Sequence, residues 1–207
     1  MLQIIIALII SYLVGSIPTA FLFGRWLKKI DIREHGSGNV GATNALRVLG
    51  KEAGISVLCL DILKGLLPVV FIGDKLLLKN IPLSSEIARI LLGIFCISGH
   101  NWTIFLKFKG GKGIATTLGV LLGLCFRIKG LWPVLGLSLI TWLFTFALTG
   151  IVSLGSVTMG ILLPFYMWIF KLSQTLLISS FLLALFILLR HKENLKRVFQ
   201  GKEKRLF

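Results

Sequence analysis

Long apolar runs separated by short polar stretches make up this chain. A helix needs about 20 apolar residues to cross roughly 30 Å of hydrocarbon. Leu2–Trp26 meets that requirement. It carries Gly15, Ser16 and Pro18, an interruption that a membrane helix tolerates when neighbours re-satisfy the freed backbone. Further runs follow at Ala53–Gly73, Ser85–Gly99, Ile114–Phe126, Leu131–Leu148, Ile151–Phe170 and Leu172–Leu189. The pattern predicts an all-α, polytopic integral membrane protein of about seven transmembrane helices, folded as one domain over residues 1–207. Ile114–Phe126 is short for a span, so it is expected to extend into the polar stretch before it or to be partly re-entrant.

Residues 74–84 read as a short polar turn, and three other polar stretches stand out: 28–50, 100–113 and 190–207. These three follow the first, third and seventh runs, so by parity they emerge on one side. Sixteen Lys and Arg belong to that side, against Lys75, Lys79, Arg127, Lys129 and Lys171 on the other. The Lys/Arg bias of short loops sets orientation. It predicts a cytoplasmic C-terminus, three cytoplasmic polar stretches and an N-terminus outside. The first run does not resemble a cleavable signal, because no cation precedes it and the first one met is Arg25.

Composition narrows the reading. The 207 residues are 56% hydrophobic with mean hydropathy +0.91, and 15% are charged. A soluble domain carries about a quarter charged residues, so no large soluble domain is expected beside the spans. The net charge of +15 would suggest nucleic acid in a soluble protein. In so apolar a chain it points to anionic lipid heads or anionic substrates. Cys59, Cys96 and Cys125 stand singly in apolar runs, without pairing or metal spacing. No cluster of carboxylates or histidines has metal spacing, and no metal or cofactor is expected.

The first polar stretch holds Glu34-His35-Gly36-Ser37-Gly38-Asn39-Val40-Gly41-Ala42-Thr43-Asn44-Ala45-Leu46-Arg47. Gly, Ser, Asn and Thr at this density let backbone approach a ligand closely and supply N–H and hydroxyl groups. A helix beginning near Gly41 would bring Asn44 and Arg47 together and offer its N-terminus to an anion. In the second stretch, Lys107-Phe108-Lys109-Gly110-Gly111-Lys112-Gly113 opens a helix. Ammonium groups, exposed amides and a helix dipole there suit phosphate. It is not a Walker A loop, because Gly113 and not Ser or Thr follows Lys112. Lys107 and Lys109 also fit plain interfacial anchoring. The third stretch begins His191-Lys192-Glu193-Asn194, which sets His191 and Asn194 on one helical face at the end of the last run. The rest of the tail, with Lys202, Lys204 and Arg205, is expected to anchor on lipid heads. Asp61 and Lys64, three apart inside the second run, are expected to pair, since ions at depth are costly. Arg89 reads as a snorkelling anchor near the outer end of the third run.

These three stretches, in this order and with the Asp61/Lys64-Gly65 element, resemble the motifs of the bacterial acyl-phosphate:glycerol-3-phosphate acyltransferases of the PlsY type, over essentially the whole chain. Val40 stands where Pro or Ile is common and Trp102-Thr103 where Phe-Pro is frequent; neither change removes a polar group. The resemblance implies a seven-helix enzyme of the cytoplasmic membrane. It would pass an acyl group from acyl phosphate to the sn-1 hydroxyl of glycerol 3-phosphate, giving lysophosphatidic acid and phosphate, the first acylation of phospholipid synthesis. Carried over by motif, the catalytic residues are Ser37, Arg47, Lys112, His191 and Asn194. The substrate-binding residues add Gly38, Asn39, Asn44, Lys109, Gly110, Gly111 and Gly113. Arg47, Lys112 and Ser37 are expected to bind glycerol phosphate, and the Gly110–Gly113 amides to hold acyl phosphate. The proton acceptor is His191 or a substrate phosphate. A transporter of a small phosphate ester is the rival reading, but only Asp61 and Lys64 put polar groups near mid-membrane. A metal-dependent phosphatidyltransferase would need clustered aspartates, and Asp31, Asp61 and Asp74 are scattered.

Overall fold

The computed structural model describes residues 1–77 and 81–206. Lys79, counted above among the loop cations, and Phe207 lie outside the described residues. Among the described residues the regular structure is entirely helical, and the chain falls into two compact units, 1–127 and 128–207. Six stretches are long and apolar enough to cross a membrane: Leu2–Lys28, Lys51–Leu76, Ser85–Leu106, Trp132–Thr149, Val152–Ile169 and Gln174–Phe199. A seventh apolar helix, Ile114–Cys125, has 12 residues. At 1.5 Å per residue it reaches only about 18 Å, which explains the shortness of the fourth predicted run.

In the first unit, α1 (Leu2–Ser16) and α2 (Thr19–Lys28) are two halves of one span. The break falls at Ile17 because Pro18 lacks an amide hydrogen and pushes the residue before it out of the helical region, to ψ 114°. The carbonyls released there are taken up from elsewhere: Thr103 Oγ1 donates to Ser16 O at 2.6 Å and Lys64 Nζ to Ile17 O at 2.9 Å. After α3 (Ala42–Leu49) comes α4 (Lys51–Leu67), which opens at Pro68 into a π turn, Pro68–Ile72, before the short α5 (Gly73–Leu77). The expected polar turn therefore starts later than Asp74, which is helical.

Arg89, on α6 (Ser85–Asn101), corrects the snorkelling expectation. It is 3% exposed and donates to Val69 O at 2.6 Å, to Val70 O and to Asp74. A guanidinium with five N–H groups can serve all of these acceptors at once, while Lys64 O, the carbonyl that Pro68 leaves without its helical donor, accepts from Cys96 Sγ at 3.1 Å. Asp74 also accepts from Arg127, at 2.6 Å.

Helix contacts follow the membrane rule that small residues let backbones approach. Side chains at Gly15 and Gly99 would overlap Cys96 O and Tyr12 O, so α1 and α6 meet backbone to backbone. Ser11 Oγ then reaches Leu92 O at 2.6 Å. Gly65 and Gly119 do the same between α4 and α7 (Ile114–Cys125). The buried face of α1 is Ile4, Ala7, Ser11 and Gly15, while Ile5, Ile6, Ile9 and Ile10 face outward, as befits lipid.

The second unit stacks α8 (Trp132–Thr149), α9 (Val152–Ile169) and α10 (Gln174–Phe199). Trp142 Nε1 donates to Ser156 Oγ across the first pair. The last helix runs ten residues beyond the predicted end at Leu189, so the third polar stretch is largely helical. The tail then folds back, with Leu206 N donating to Gly150 O at 2.8 Å.

Replacing Gly119 by Ala puts a methyl into the Ile62 carbonyl of α4. We expect a cost of about 1–3 kcal/mol, seen as a lower thermal unfolding midpoint in detergent. Gly136→Ala on α8, with nothing within 4 Å, should be neutral or stabilising by up to about 1 kcal/mol.

Candidate active site

The first polar stretch is a loop stapled from within. Asp31 caps a 3₁₀ turn, Ile32–Glu34, by accepting from Arg33 N at 3.0 Å, and it pairs with the Arg33 guanidinium at 2.6 Å. That side-chain hydrogen bond outweighs burial and draws the Asp31 carboxyl down to about 2. His35 Nδ1 donates to Asp31 O, since a carbonyl only accepts. Gly36 and Gly38 then take φ of +65° and +70°, a region that side chains rarely enter.

Between them, Ser37 presents an exposed side chain while its amide is held by Asn44 Oδ1 at 2.8 Å. Asn44 Nδ2 donates to Ile32 O and His35 O, at 3.2 and 3.1 Å. The Asn44 amide is thus spent on the loop, and it is 1% exposed. One turn later on α3, Arg47 is exposed, so the two residues expected together on one face divide into an inward staple and an outward cation. Asn39 is half-buried, with Nδ2 against Gly41. Gly41 is the N-cap of α3 and makes no side-chain cap bond.

The second stretch hangs from the end of α6. Thr103 Oγ1 accepts from Phe105 N, a 3₁₀ turn follows at Ile104–Leu106, and Lys107 and Phe108 both take left-handed φ. The chain then returns: Phe108 N donates to Thr103 O at 2.8 Å, Gly110 N to Asn101 O at 3.2 Å and Gly111 N to His100 O at 3.0 Å. The last carbonyls of a helix need donors, and here the glycine segment supplies them. This corrects the expectation that the Gly110 and Gly111 amides hold acyl phosphate, because they are already engaged. Next along the segment, Lys109 is exposed and Lys112 half-buried, and α7 starts after Gly113 (φ +77°), its N-cap, which makes no side-chain cap bond. The two stretches share one core, in which Leu106 packs with Ile32, Val40 and Ala45.

In the second unit, His191 and Asn194 are buried on one face of α10, at 2% and 7% exposure. His191 Nδ1 donates to Ile187 O at 2.8 Å. Asn194 Nδ2 donates to Glu203 Oε1, which also accepts from Ser153 Oγ at 2.8 Å, and Arg197 Nε donates to Glu203 Oε2 at 2.7 Å. Burial raises the Glu203 carboxyl, but these three hydrogen bonds prevail and hold it below the usual range. Sequence reasoning missed Glu203. The available signal was a single acid among the cations of a tail read as a plain anchor. Among the described residues no group of three His, Cys, Asp or Glu is placed to hold a metal ion.

Comparison with known proteins gives a consistent answer. The sequence model of the family described as glycerol-3-phosphate acyltransferase matches residues 5–201. A glycerol-3-phosphate acyltransferase of Thermoanaerobacter sp. (strain X514) is 41% identical over 203 residues, covering 98% of this chain and 95% of its own. The crystal structure of PlsY (YgiH), an integral membrane glycerol 3-phosphate acyltransferase, in its glycerol 3-phosphate form, superposes with a TM-score of 0.83 at 34% identity, covering 98% of this chain and 94% of that one. Its lysophosphatidic acid form superposes with a TM-score of 0.81.

The Asn44 staple is testable by Asn44→Asp, which sets a carboxylate against the Ile32 and His35 carbonyls. A buried group left unpaired costs about 1–3 kcal/mol, and 1.4 kcal/mol is a factor of ten. Tryptic cleavage after Arg33 should quicken by roughly tenfold or more. An unchanged rate would mean that the loop does not depend on Asn44.

Proposed function

The chain belongs to the glycerol-3-phosphate acyltransferase family, and from that footing we propose that it acts as a single acyltransferase domain using acyl phosphate as donor. It transfers the acyl group to the sn-1 hydroxyl of glycerol 3-phosphate, releasing lysophosphatidic acid and inorganic phosphate, with no cofactor. The observation that carries the reading is the match over 98% of the chain to a structure described in a glycerol 3-phosphate form. The protein works in the bacterial cytoplasmic membrane with its site on the cytoplasmic face, a reading supported by the cation bias of the polar stretches.

Both reactants carry phosphate, and the first unit is rich in groups that suit it. We assign Arg47, Lys112 and Ser37 to glycerol 3-phosphate, with Gly38 and Asn39 shaping the loop and Asn44 holding it. Lys109 and the start of α7 after Gly113 serve the acyl phosphate, in place of the Gly110 and Gly111 amides. Acyl phosphate is already activated, so no enzyme nucleophile is needed. The hydroxyl oxygen attacks the acyl carbon, the carbon–oxygen bond to phosphate breaks, and phosphate leaves with the electron pair. The hydroxyl loses one proton and the departing phosphate can take one, so the balance closes within the substrates. A histidine such as His191 is chemically suited to relay a proton, and Asn194 is its neighbour on α10. Positioning supplies up to roughly 7–11 kcal/mol in the best model systems, and each well-placed oxyanion donor about 3–4 kcal/mol.

Purified protein given glycerol 3-phosphate with acyl phosphate, acyl-CoA or acyl carrier protein should form lysophosphatidic acid and equimolar phosphate from the first donor alone. Efficient use of acyl-CoA would overturn the donor assignment. Arg47→Ala should raise the glycerol 3-phosphate KM by roughly 10- to 150-fold, the equivalent of about 1.5–3 kcal/mol for a hydrogen bond to a charged group, while the fold persists. Unchanged kinetics would remove Arg47 from the site.

A further inference from the structure

Directly behind the glycine–lysine segment lies a buried polar cluster to which the chemistry above gives no part. Asp61 is 1% exposed and Lys64 5%, and they pair at 2.7 Å. Thr19 Oγ1 donates to the same carboxylate oxygen at 2.6 Å, and Lys64 Nζ also caps the broken first span at Ile17 O. Ions buried in a membrane span are costly and persist where they hold something in place. The same Asp61 oxygen stands 3.9 Å from Nδ1 of His100, itself 7% exposed.

The other side of the His100 ring faces the glycine segment. A side chain at Gly111 would occupy the space of His100 Nε2, and one at Gly110 the space of His100 O. The Gly111 amide donates to that same carbonyl. His100 therefore meets the segment twice, by its carbonyl and by its ring, while Asp61 stands behind the ring.

We propose that His100 is a positioning residue: its imidazole, backed by the Asp61–Lys64 pair, is the platform on which Gly111 rests, and it sets where Lys112 is presented to phosphate. The inference rests on the assignment of Lys112 to glycerol 3-phosphate. The glycine at 111 is then required by the ring beneath it.

A double-substitution cycle in the full-length, detergent-purified protein tests this. Gly111→Ala alone should lower kcat/KM for glycerol 3-phosphate by thirtyfold or more. In a His100→Ala background, where the ring no longer fills that space, the same substitution should cost less than threefold. Equal costs in the two backgrounds overturn the proposal. Should a variant unfold, Asp61→Asn decides, because it keeps the shape and removes the charge. A glycerol 3-phosphate KM raised at least fivefold with kcat within twofold, together with faster tryptic cleavage after Lys109 and Lys112, supports a positioning role. A fall in kcat at unchanged KM and unchanged cleavage overturns it. The ratios are read with whichever acyl donor the wild-type protein uses, so an error in donor assignment leaves them intact. A wild-type protein inert toward glycerol 3-phosphate would instead refute the functional reading.

Discussion

Inside hydrocarbon, a backbone carbonyl that leaves its helix has no water to turn to, and the architecture of the first unit follows from that constraint. Helical order stops or loosens at Pro18, at Pro68 and at the end of α6. Each time, a donor from another element answers. Thr103 and Lys64 serve Ser16 and Ile17; Arg89 serves Val69 and Val70; the Gly110 and Gly111 amides serve Asn101 and His100. The buried cations are the donors that make broken helices tolerable in lipid, with Asp61 and Asp74 as their counter-ions.

Such long-range bonds require helices that nearly touch. The glycines of α1, α4, α6 and α7 bring backbones within reach, and only then can Ser11 meet Leu92 or Cys96 Sγ meet Lys64 O. Because α6 and α7 flank residues 102–113, their close packing also fixes both ends of the segment that carries Lys112. Packing and site geometry are thus consecutive links of one chain of causes.

Much of this was legible in the residues themselves. Apolar length gave the spans, Pro18 gave the break, twelve helical residues explain the short fourth run, and the density of glycine marked both loops. Those are local properties. What stayed hidden depends on partners distant in sequence. Arg89 looked like an interfacial anchor because its use depends on a π turn some twenty residues earlier. The Gly110 and Gly111 amides looked available because a backbone donor carries no mark of its acceptor. Asn44 looked like a ligand-binding group, and its burial shows in no periodicity. Glu203 sits in a tail whose basic composition masks one acid.

The attachment of the glycine–lysine segment to the last turn of α6 bears on how ligands are met. Ordering a free backbone costs about 1–2 kcal/mol per residue, and a loose glycine loop would subtract that from affinity on each encounter. Here the Gly110 and Gly111 amides are bonded to the last turn of α6, so much of that ordering is completed when the chain folds. A ligand that meets the glycine–lysine segment therefore does not have to order it first.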